Sequence, residues 1–500
     1  MAPVTDDLTA LAPLLRECFL RASYDTDSLL GLLGTDAHRA LTRGEPVPVR
    51  RASVDGGRLG TLVRLLLLVD DCAESEVRAA LDPVPLERAV AAGLLERDGD
   101  RVRAALDVRP MDAGTGTRWM ISDLDGGMRA RTTEPDHVLG VGHASLSLLS
   151  ATPTAPVGSV LDIGTGCGVQ AVRATDYARQ VTATDVNARA LALTSAGCAL
   201  NDVDVELRRG PWFDPVAGRE FDQIVANPPF VVGGSGVDHT YRDSGLTLDG
   251  ASELMIGRAP QHLTPGGTAA MLASWVHVQG QDWRERVSSW LPDHGVEAWV
   301  VQRDVADPAL YVGTWMRDGG LDPRDRTVAG QAEAWLDTFA AERVEGVGFG
   351  FVYLRRTDES TGLLAEDLRH GFDDPLGAEA LDYLHRIAWL REHDLMDSRF
   401  TLAPATALER VSLPSAPEPG WREVVARVHR GDGPRWQHEV DDLAVSLLSG
   451  LCAEGLPLGE LVSLLAFAHE LPEAELTVRA VELIDGLVRH GLVRPAGPGS

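Results

Sequence analysis

Short apolar segments alternate with segments of helical periodicity over the middle of the chain, from about residue 111 to residue 358. The apolar segments predict strands, namely Val160–Ile163, Val181–Thr184, Val203–Leu207, Gln223–Ala226, Thr268–Ser274, Glu297–Gln302 and Gly348–Arg355. The intervening segments predict helices, among them Ala188–Leu200, Asp249–Leu263 and Gln331–Arg343. Because strand, helix and strand in succession favour right-handed crossovers, the pattern indicates an α/β fold with a doubly wound, mostly parallel sheet.

Helical periodicity dominates the segment before this sheet, residues 1–110. The predicted helices are Asp6–Tyr24, Leu59–Val69, Ala73–Leu81 and Pro85–Ala92. Residues 94–97 and 102–108, on either side of a polar turn, predict a β-hairpin. Helices followed by a hairpin resemble a winged helix. That fold serves nucleic-acid binding, protein contacts or scaffolding, and the pattern leaves all three uses open.

Two further segments follow the predicted sheet. Residues 359–435 are rich in charge and proline and are interpreted as a connecting segment, with a linker or surface loop at Pro414–Gly420. Residues 436–500 predict a C-terminal domain of helices with a short final strand, similar to a second small winged helix. Its helices are Val440–Cys452, Leu458–His469 and Ala474–His490.

The composition adds a strong acidic excess to this picture. The chain has 46 basic residues, all of them arginine, against 74 acidic residues, which gives a formal net charge of −28. This excess opposes non-specific binding to a phosphate backbone but leaves open specific RNA binding through a local arginine face. The longest apolar stretch, Leu62–Val69, is far too short to span a membrane, and the first residues lack a secretory pattern. The five cysteines are scattered, which predicts reduced thiols, a cytoplasmic location and no metal site.

A glycine-rich turn follows the first predicted strand of the sheet, in the sequence Asp162-Ile163-Gly164-Thr165-Gly166-Cys167-Gly168. Glycine permits positive φ and lets the backbone approach a ligand closely, at the strand end where open α/β sheets bind ligands. The acidic Asp162 suits a cationic amino-acid ligand better than a pyrophosphate. Asp185 ends the second strand and can accept hydrogen bonds from two ribose hydroxyls. Dinucleotide enzymes also combine glycines with such an acid, so these features predict a nucleoside ligand without choosing its class.

The fourth predicted strand runs into Asn227-Pro228-Pro229-Phe230, which suits the binding of a planar amino or amide group. The side-chain oxygen of Asn227 can accept a hydrogen bond from one N–H, and the carbonyl of Pro228 can accept one from the other. The ring of Phe230 can stack on the bound planar group. Proline holds the backbone extended and rigid. Two acceptors aimed at one nitrogen stabilise the positive charge that develops there when the nitrogen attacks an electrophile.

The glycine turn, Asp185 and the Asn-Pro-Pro-Phe motif, in this order, resemble the class I small-domain methyltransferases that use S-adenosylmethionine. The resemblance covers about residues 137–356. It implies an antiparallel last strand in the sheet and S-adenosylmethionine as cofactor. It also implies a set of cofactor-binding residues, namely Asp162, Gly164, Thr165, Gly166, Gly168, Asp185, Val186 and Asn227.

Three further pairs of residues are candidates beside these motifs. Pro211 stands where many relatives have an acid that contacts adenine, so Trp212 and Phe213 become candidates for that contact, with core packing as the alternative. His143 and Ser145 are candidates for a segment that closes over the cofactor, or else belong to an ordinary helix start. Tyr241 and Arg242 are candidates for substrate contacts, with a solvated turn as the alternative.

The motifs leave the methyl acceptor open between several classes. A glutamine side chain of a protein, as in the release-factor methyltransferases, is the main hypothesis, since the acidic composition and flanking domains suit protein contacts. The alternative is an RNA methyltransferase acting on adenine N6 or guanine N2, which Phe230 and the winged-helix-like segment favour. A small-molecule N-methyltransferase and a non-catalytic cofactor-binding regulator are further alternatives.

Overall fold

A mostly parallel sheet of eight strands lies within residues 157–367 of the structure, which is a computed structural model. The structure describes residues 6–112, 114–125, 134–229, 232, 246–318, 321, 325–371, 376–415 and 419–496. The chain divides into two compact units. The first comprises Met1–Leu149 and Thr154–Asp367, and the second comprises Ser150–Pro153 and Leu368–Ser500.

The helices that begin in the first unit are α1 Asp6–Ala22, α2 Thr26–Thr42, α3 Pro46–Ser53, α4 Gly57–Leu62, α5 Glu74–Leu81, α6 Leu86–Ala91, α7 His143–Ala151, α8 Val169–Ala174, α9 Ala188–Asn201, α10 Gly250–Arg258, α11 Trp283–Ser288, α12 Pro308–Asp318 and α13 Arg326–Ala341. Its strands are β1 Cys72–Ala73, β2 Leu95–Asp98, β3 Arg101–Ala104, β4 Leu106–Asp112, β5 Thr117–Asp123, β6 Val157–Ile163, β7 Ala178–Asp185, β8 Glu206–Arg209, β9 Phe221–Ala226, β10 Leu263–Val278, β11 His294–Ala306, β12 Val344–Ser360 and β13 Gly362–Asp367.

The central sheet has the strand order β13-β11-β12-β10-β9-β6-β7-β8 among the described residues. Strands β6 to β10 pair in parallel, and β12 runs antiparallel to both β10 and β11. The predicted doubly wound α/β fold is therefore confirmed. The prediction made the last strand of the sheet antiparallel, whereas the antiparallel strand β12 is followed by one more strand, β13, which pairs in parallel with β11. The strand order reverses on either side of β6, and open sheets of this kind bind ligands at such a reversal.

The N-terminal helices share one hydrophobic core with helices α8 and α9 of this sheet. Buried residues of α1 and of α9 belong to the same cluster, and the hydroxyls of Thr9 and Ser195 lie 3.4 Å apart between the two helices. The Tyr24 hydroxyl donates to the carbonyl of Val108 at 2.7 Å. The side chain of Asn201, at the end of α9, bonds both the N–H and the carbonyl of Trp119 on β5. The division of the chain at residue 110 remains a prediction, and the packing is continuous across it.

The predicted hairpin in this region differs from the observed one. Residues 102–108 are predicted as a single strand, but the chain turns at Ala105 and enters a second sheet. Strand β3 pairs with β1 and β2, whereas β4 pairs with β5 in a separate ribbon. Periodicity alone does not reveal such a turn, because the residues on both sides of it are apolar and buried. The winged-helix interpretation of residues 1–110 remains a prediction.

The second unit contains the helices α14 Leu376–Glu392, α15 Asp442–Ser449, α16 Leu458–Ala468 and α17 Glu473–Arg489, and the strands β14 Phe400–Leu402, β15 Thr406–Pro414, β16 Trp421–Arg430, β17 Gln437–Val440 and β18 Val493–Pro495. Strands β15, β16 and β17 form an antiparallel sheet, and β14 pairs with β18. Residues 359–435, interpreted from sequence as a connecting segment, thus hold a helix and much of this sheet. Across the described residues, no helix is both long enough and apolar enough to cross a membrane.

Candidate active site

A cavity of about 550 Å³ lies at the carboxyl ends of β6, β7 and β9, where the strand order reverses. Most of the site residues predicted from the sequence line it. These are His143, Ser145, Asp162, Gly164, Thr165, Gly166, Asp185, Val186, Trp212, Asn227, Pro228 and Pro229. The candidates Phe230, Tyr241 and Arg242 lie outside the described residues. The separate sequence motifs therefore meet in one place.

The glycine turn after β6 depends on three left-handed backbone conformations. Gly164, Gly166 and Gly168 have φ values of 71°, 57° and 83°, which side chains with a Cβ adopt only with strain. The N–H groups of Gly164 and Thr165 both donate to the carbonyl of Thr184 on β7, at 2.9 and 3.0 Å. Gly168 precedes the first residue of α8 and lies behind the turn, so it shapes the cavity without lining it.

Asp162 is a buried carboxylate at the base of this turn, with a side chain that also lines the cavity. Its Oδ2 atom accepts hydrogen bonds from the Thr165 hydroxyl at 2.6 Å and from the Ala171 N–H at 3.1 Å. Neither bond uses Oδ1. Burial raises the pKa of Asp162 to about 7, against the opposing effect of these two donors. A cationic ligand group beside it would favour the ionised form.

Asp185 is held at the end of β7 by backbone donors. Its Oδ1 atom accepts from the Asn187 N–H at 2.8 Å, and its Oδ2 atom accepts from the Gly166 N–H at 3.0 Å. Burial raises the pKa of Asp185, while these N–H groups lower it. Each carboxylate oxygen can accept a second hydrogen bond, so the fixed side chain can still receive two hydroxyl groups.

The segment from Asp136 to Gly142 borders the cavity and is fastened to the start of α9. The side-chain amide of Asn187 donates to the carbonyl of Asp136 at 2.9 Å. Asp123, at the end of β5, accepts from the Val138 N–H at 2.9 Å and from the buried guanidinium of Arg189 at 2.5 to 3.2 Å. No sequence pattern indicates this ion pair, because its members lie 66 residues apart and neither belongs to a motif.

Farther along the same border, α7 contributes His143 and Ser145. The carbonyl of Ser145 accepts from the side chain of Gln170 on α8, at 2.9 Å. This bond ties the start of α7 to the helix that follows the glycine turn. Both residues therefore occupy the edge of the cavity, as the lid hypothesis requires.

The segment Asn227-Pro228-Pro229, which is the described part of the predicted acceptor motif, follows β9 and lies directly beside the glycine turn. Ile163 and Ala226 are paired in register, so the ends of β6 and β9 coincide. A Cβ atom placed on Gly164 would lie 3.9 Å from the Cα of Pro228, which shows how close the two motifs are. Asn227 is half-buried, Pro228 is buried, and both line the cavity. A ligand on the glycine turn and a group held by Asn227 would therefore be neighbours.

Of the two aromatic candidates after β8, the structure brings only Trp212 to the cavity. Phe213 is fully buried in the core and stacks on His262, with ring centroids 4.6 Å apart. Its assignment as a cofactor contact is therefore wrong. The two rings point in different directions because Trp212 has a φ of 50°, and the short helix Asp214–Val216 begins just after Phe213.

Trp315 is one of several cavity residues that sequence reasoning missed. Trp315, on α12, lines the cavity together with the acceptor motif. It lies almost 90 residues after Asn227, in a helical segment between β11 and β12 for which the sequence predicted only one helix. In the part of the chain that the structure describes, no His, Cys, Asp or Glu side chains form a group of three or more that could hold a metal ion.

Family comparisons agree with this geometry. Residues 139–279 match the family model described as Methyltransferase small domain. This segment is therefore a methyltransferase small domain, and the predicted resemblance to the class I enzymes that use S-adenosylmethionine is confirmed. Residues 21–105 and 381–495 match two further models, described as Domain of unknown function (DUF7059) and Domain of unknown function (DUF7782).

The chain is similar to proteins named Ribosomal RNA small subunit methyltransferase C. It is 34% identical to the protein of Erwinia tasmaniensis over 137 residues, which are 27% of this chain and 36% of that protein. It is 38% identical to the protein of Pasteurella multocida over 130 residues, which are 25% of this chain and 36% of that protein. The chain thus spans just over a third of the length of these relatives.

Solved structures of methyltransferases are similar over a comparable part of the chain. One is the 16S rRNA N2 G1207 methyltransferase of T. thermophilus in complex with AdoMet and guanosine, at 18% identity and a TM-score of 0.28, covering 43% of this chain and 57% of that one. Another is a SAM-dependent methyltransferase of Geobacter sulfurreducens in complex with S-adenosyl-L-homocysteine, at 19% identity and a TM-score of 0.22, covering 40% and 85%.

Proposed function

We propose that this protein transfers a methyl group from S-adenosylmethionine to the exocyclic amino group of a purine in RNA, adenine N6 or guanine N2. The observation that carries the proposal is the single cavity in which the glycine turn of residues 164–168 adjoins Asn227 and Pro228. The similarity of this domain to ribosomal RNA methyltransferases supports RNA as the acceptor. We place the reaction in the cytoplasm, in keeping with five free cysteines.

The first half of the cavity fits the cofactor by the chemistry of its groups. Asp162 offers a carboxylate to the cationic amino group of the methionine moiety, and the glycine turn admits that moiety close to the backbone. Asp185 offers two oxygens to the two ribose hydroxyls, with Val186 beside it. Trp212 offers an apolar surface to the adenine ring. When bound, the cofactor supplies an electrophilic methyl group on a positively charged sulfur.

The second half of the cavity orients the acceptor nitrogen. The Asn227 side-chain oxygen and the Pro228 carbonyl accept the two N–H bonds of one amino group and direct its nitrogen toward the methyl carbon. The two oxygens would stabilise the positive charge that methylation places on this nitrogen. One proton then leaves the nitrogen for solvent, so the site needs no strong general base.

A glutamine amide of a protein is the second candidate acceptor. The acidic composition favours it, because a net charge of −28 opposes attraction of a polyanion. The same pair of oxygens can accept the N–H bonds of a carboxamide. RNA is preferred because the relatives that share the methyltransferase small domain are named as ribosomal RNA enzymes.

The full chain, incubated with radiolabelled cofactor and a cell lysate, tests the choice between these acceptors. One aliquot is then treated with ribonuclease and another with protease before the acid-insoluble label is counted. We expect the label to disappear with ribonuclease and to persist after protease. Purified small-subunit ribosomal RNA and a purified release factor serve as defined acceptors. Label on the release factor alone would overturn the RNA proposal.

A further inference from the structure

An aromatic cluster on α12, α13 and β12 closes one side of the acceptor region. Tyr311 is buried at its centre, and the rings of Trp315, Trp335, Phe339 and Phe349 surround it. Their centroids lie 6.1, 6.0, 5.9 and 5.7 Å from that of Tyr311. Edge-to-face and tilted packing at such distances is favourable for aromatic pairs. The packing of these rings therefore holds each side chain of the cluster in a defined position.

This cluster is bonded to the chain just after the acceptor motif. Val232, five residues after Asn227, is fully buried, and its N–H donates to the Tyr311 hydroxyl at 2.6 Å. Its carbonyl accepts from the indole N–H of Trp335 at 2.9 Å. Both backbone groups of Val232 are thus satisfied by side chains of α12 and α13. These bonds fix the helices relative to the acceptor motif.

Trp315 is the member of the cluster that lines the cavity. Trp315 is half-buried, its ring packs edge-on against that of Tyr311, and it lines the same cavity as Asn227 and Pro228. Tyr311, Trp335, Phe339 and Phe349 do not line that space. An indole that packs in this cluster and also lines the cavity can serve as a stacking platform.

We infer that Trp315 stacks on the ring of the methyl acceptor, which makes the substrate at this site a nucleobase. The inference rests on the proposed function and deepens it. Stacking suits any base because every base presents a π face, whereas a glutamine side chain has no ring to stack. Asn227 and Pro228 fix the directions of the two N–H bonds of the base, and stacking on Trp315 fixes the plane of its ring. Together these contacts define the acceptor's position and favour bases over amides.

The test compares Trp315→Leu, which keeps apolar volume but removes the aromatic face, with Trp315→Phe, which keeps a face. Trp421→Leu is the matched control, because Trp421 is 73% exposed on the hairpin of the second unit and does not line the cavity. We expect Trp315→Leu to lower kcat/KM for RNA by roughly tenfold or more, the scale of a lost base-stacking contact. The kcat/KM of Trp315→Phe should remain within a few-fold of that of the unmodified protein, and the kcat/KM of Trp421→Leu should equal that of the unmodified protein.

A second measurement separates this inference from the proposed function. Guanosine and adenosine are titrated into each variant saturated with the demethylated cofactor, and binding is followed by tryptophan fluorescence and calorimetry. We expect binding to the unmodified protein and about tenfold weaker binding to Trp315→Leu, with equal affinity of all variants for the demethylated cofactor. Equal nucleoside affinity in both proteins, or none in the unmodified protein, would overturn the role of Trp315. RNA that is not methylated despite this binding would count against the proposed function alone.

Discussion

At the scale of single residues, Asn227 carries the acceptor chemistry of the proposed reaction. Its side chain forms no hydrogen bond with another described residue, so its amide is available to a substrate. We expect Asn227→Ala to lower kcat about 100-fold or more, the scale of losing one preorganised acceptor in a transition state. The affinity for S-adenosylmethionine, measured by calorimetry, should fall far less than kcat. A kcat near that of the unmodified protein would remove Asn227 from the mechanism.

Asp162 makes cofactor binding depend on pH. Burial raises its pKa to about 7, so the carboxylate is largely ionised at pH 8 and largely protonated at pH 6. Only the ionised form attracts the cationic amino group of the cofactor. We therefore expect affinity to fall about tenfold between pH 8 and pH 6, as the fraction ionised falls. Titration calorimetry across this range measures the change.

The variant Asp162→Asn is the control for this pH effect. It removes the titrating carboxylate but keeps a side chain of the same size, so its weaker cofactor binding should be nearly independent of pH. A pH dependence that persists unchanged in Asp162→Asn would show that Asp162 is not its source.

At the scale of elements, the glycine turn depends on conformation and on space. Gly168 has a φ of 83°, and a Cβ atom there would lie 2.7 Å from the Thr194 side chain on α9. We expect Gly168→Ala to lower the free energy of unfolding by about 1–3 kcal/mol and to weaken cofactor binding. Gly197→Ala is the matched control, because Gly197 lies within α9 and its nearest contact would be 4.0 Å away. Denaturant titration should show that Gly197→Ala leaves the free energy of unfolding unchanged or raises it slightly.

The border of the cavity depends on an ion pair between Asp123 and Arg189, whose side chains are 3% and 7% exposed. Asp123 also accepts from the Val138 N–H and so holds the segment beside the cofactor. We expect Asp123→Ala to destabilise the protein by about 3 kcal/mol, because a buried guanidinium loses its carboxylate partner. Cofactor affinity should fall with it.

The exposed pair Arg103–Glu96 provides the comparison for this ion pair. Its side chains are 34% and 40% exposed, so Glu96→Ala should cost less than about 1 kcal/mol. Chemical denaturation of both variants measures the difference. An Asp123→Ala protein as stable as Glu96→Ala, with unchanged cofactor affinity, would show that the segment does not depend on this pair.

The sequence predicted those parts of the site that depend on short motifs and on the ends of parallel strands. Strand Val160–Ile163 is observed as Val157–Ile163, and its glycine turn and Asp185 lie where parallel strand ends must meet. Asn227 and Pro228 were found because a rigid pair of acceptors has a recognisable sequence. These features depend on a few adjacent residues and on the parallel sheet, so periodicity and motifs suffice for them.

The rest of the site depends on contacts between residues far apart in the chain. Trp315 reaches the cavity only because α12 packs through Tyr311 on the chain at Val232, which no local pattern indicates. Phe213 and Trp212 are adjacent and chemically alike, and only the backbone conformation at Trp212 separates them. The turn at Ala105 likewise depends on two sheets that form with distant partners.

At the scale of the whole molecule, the N-terminal helices stabilise the cofactor site through a shared core. Phe19 on α1 is fully buried, and its ring lies 4.9 Å from that of Tyr24 and 5.8 Å from that of Trp119. The N–H of Trp119 donates to the side-chain oxygen of Asn201, the last residue of α9, and the Asn201 side-chain amide donates to the carbonyl of Trp119. Helix α9 begins three residues after Asp185. The chain from α1 to Asp185, the proposed ribose-binding carboxylate, is thus one packed structure.

This continuity predicts that a change in the N-terminal segment alters the methyltransferase site. We expect Phe19→Ala to lower the free energy of unfolding by about 3–5 kcal/mol, the cost of a large cavity in a core, and to weaken cofactor binding. The neighbouring Leu20 is 60% exposed on the same helix, so Leu20→Ala should stay within about 0.5 kcal/mol. Thermal unfolding with and without the cofactor measures both effects. If Phe19→Ala lowered stability but left cofactor affinity intact, the N-terminal helices would be a neighbour of the site rather than part of its support.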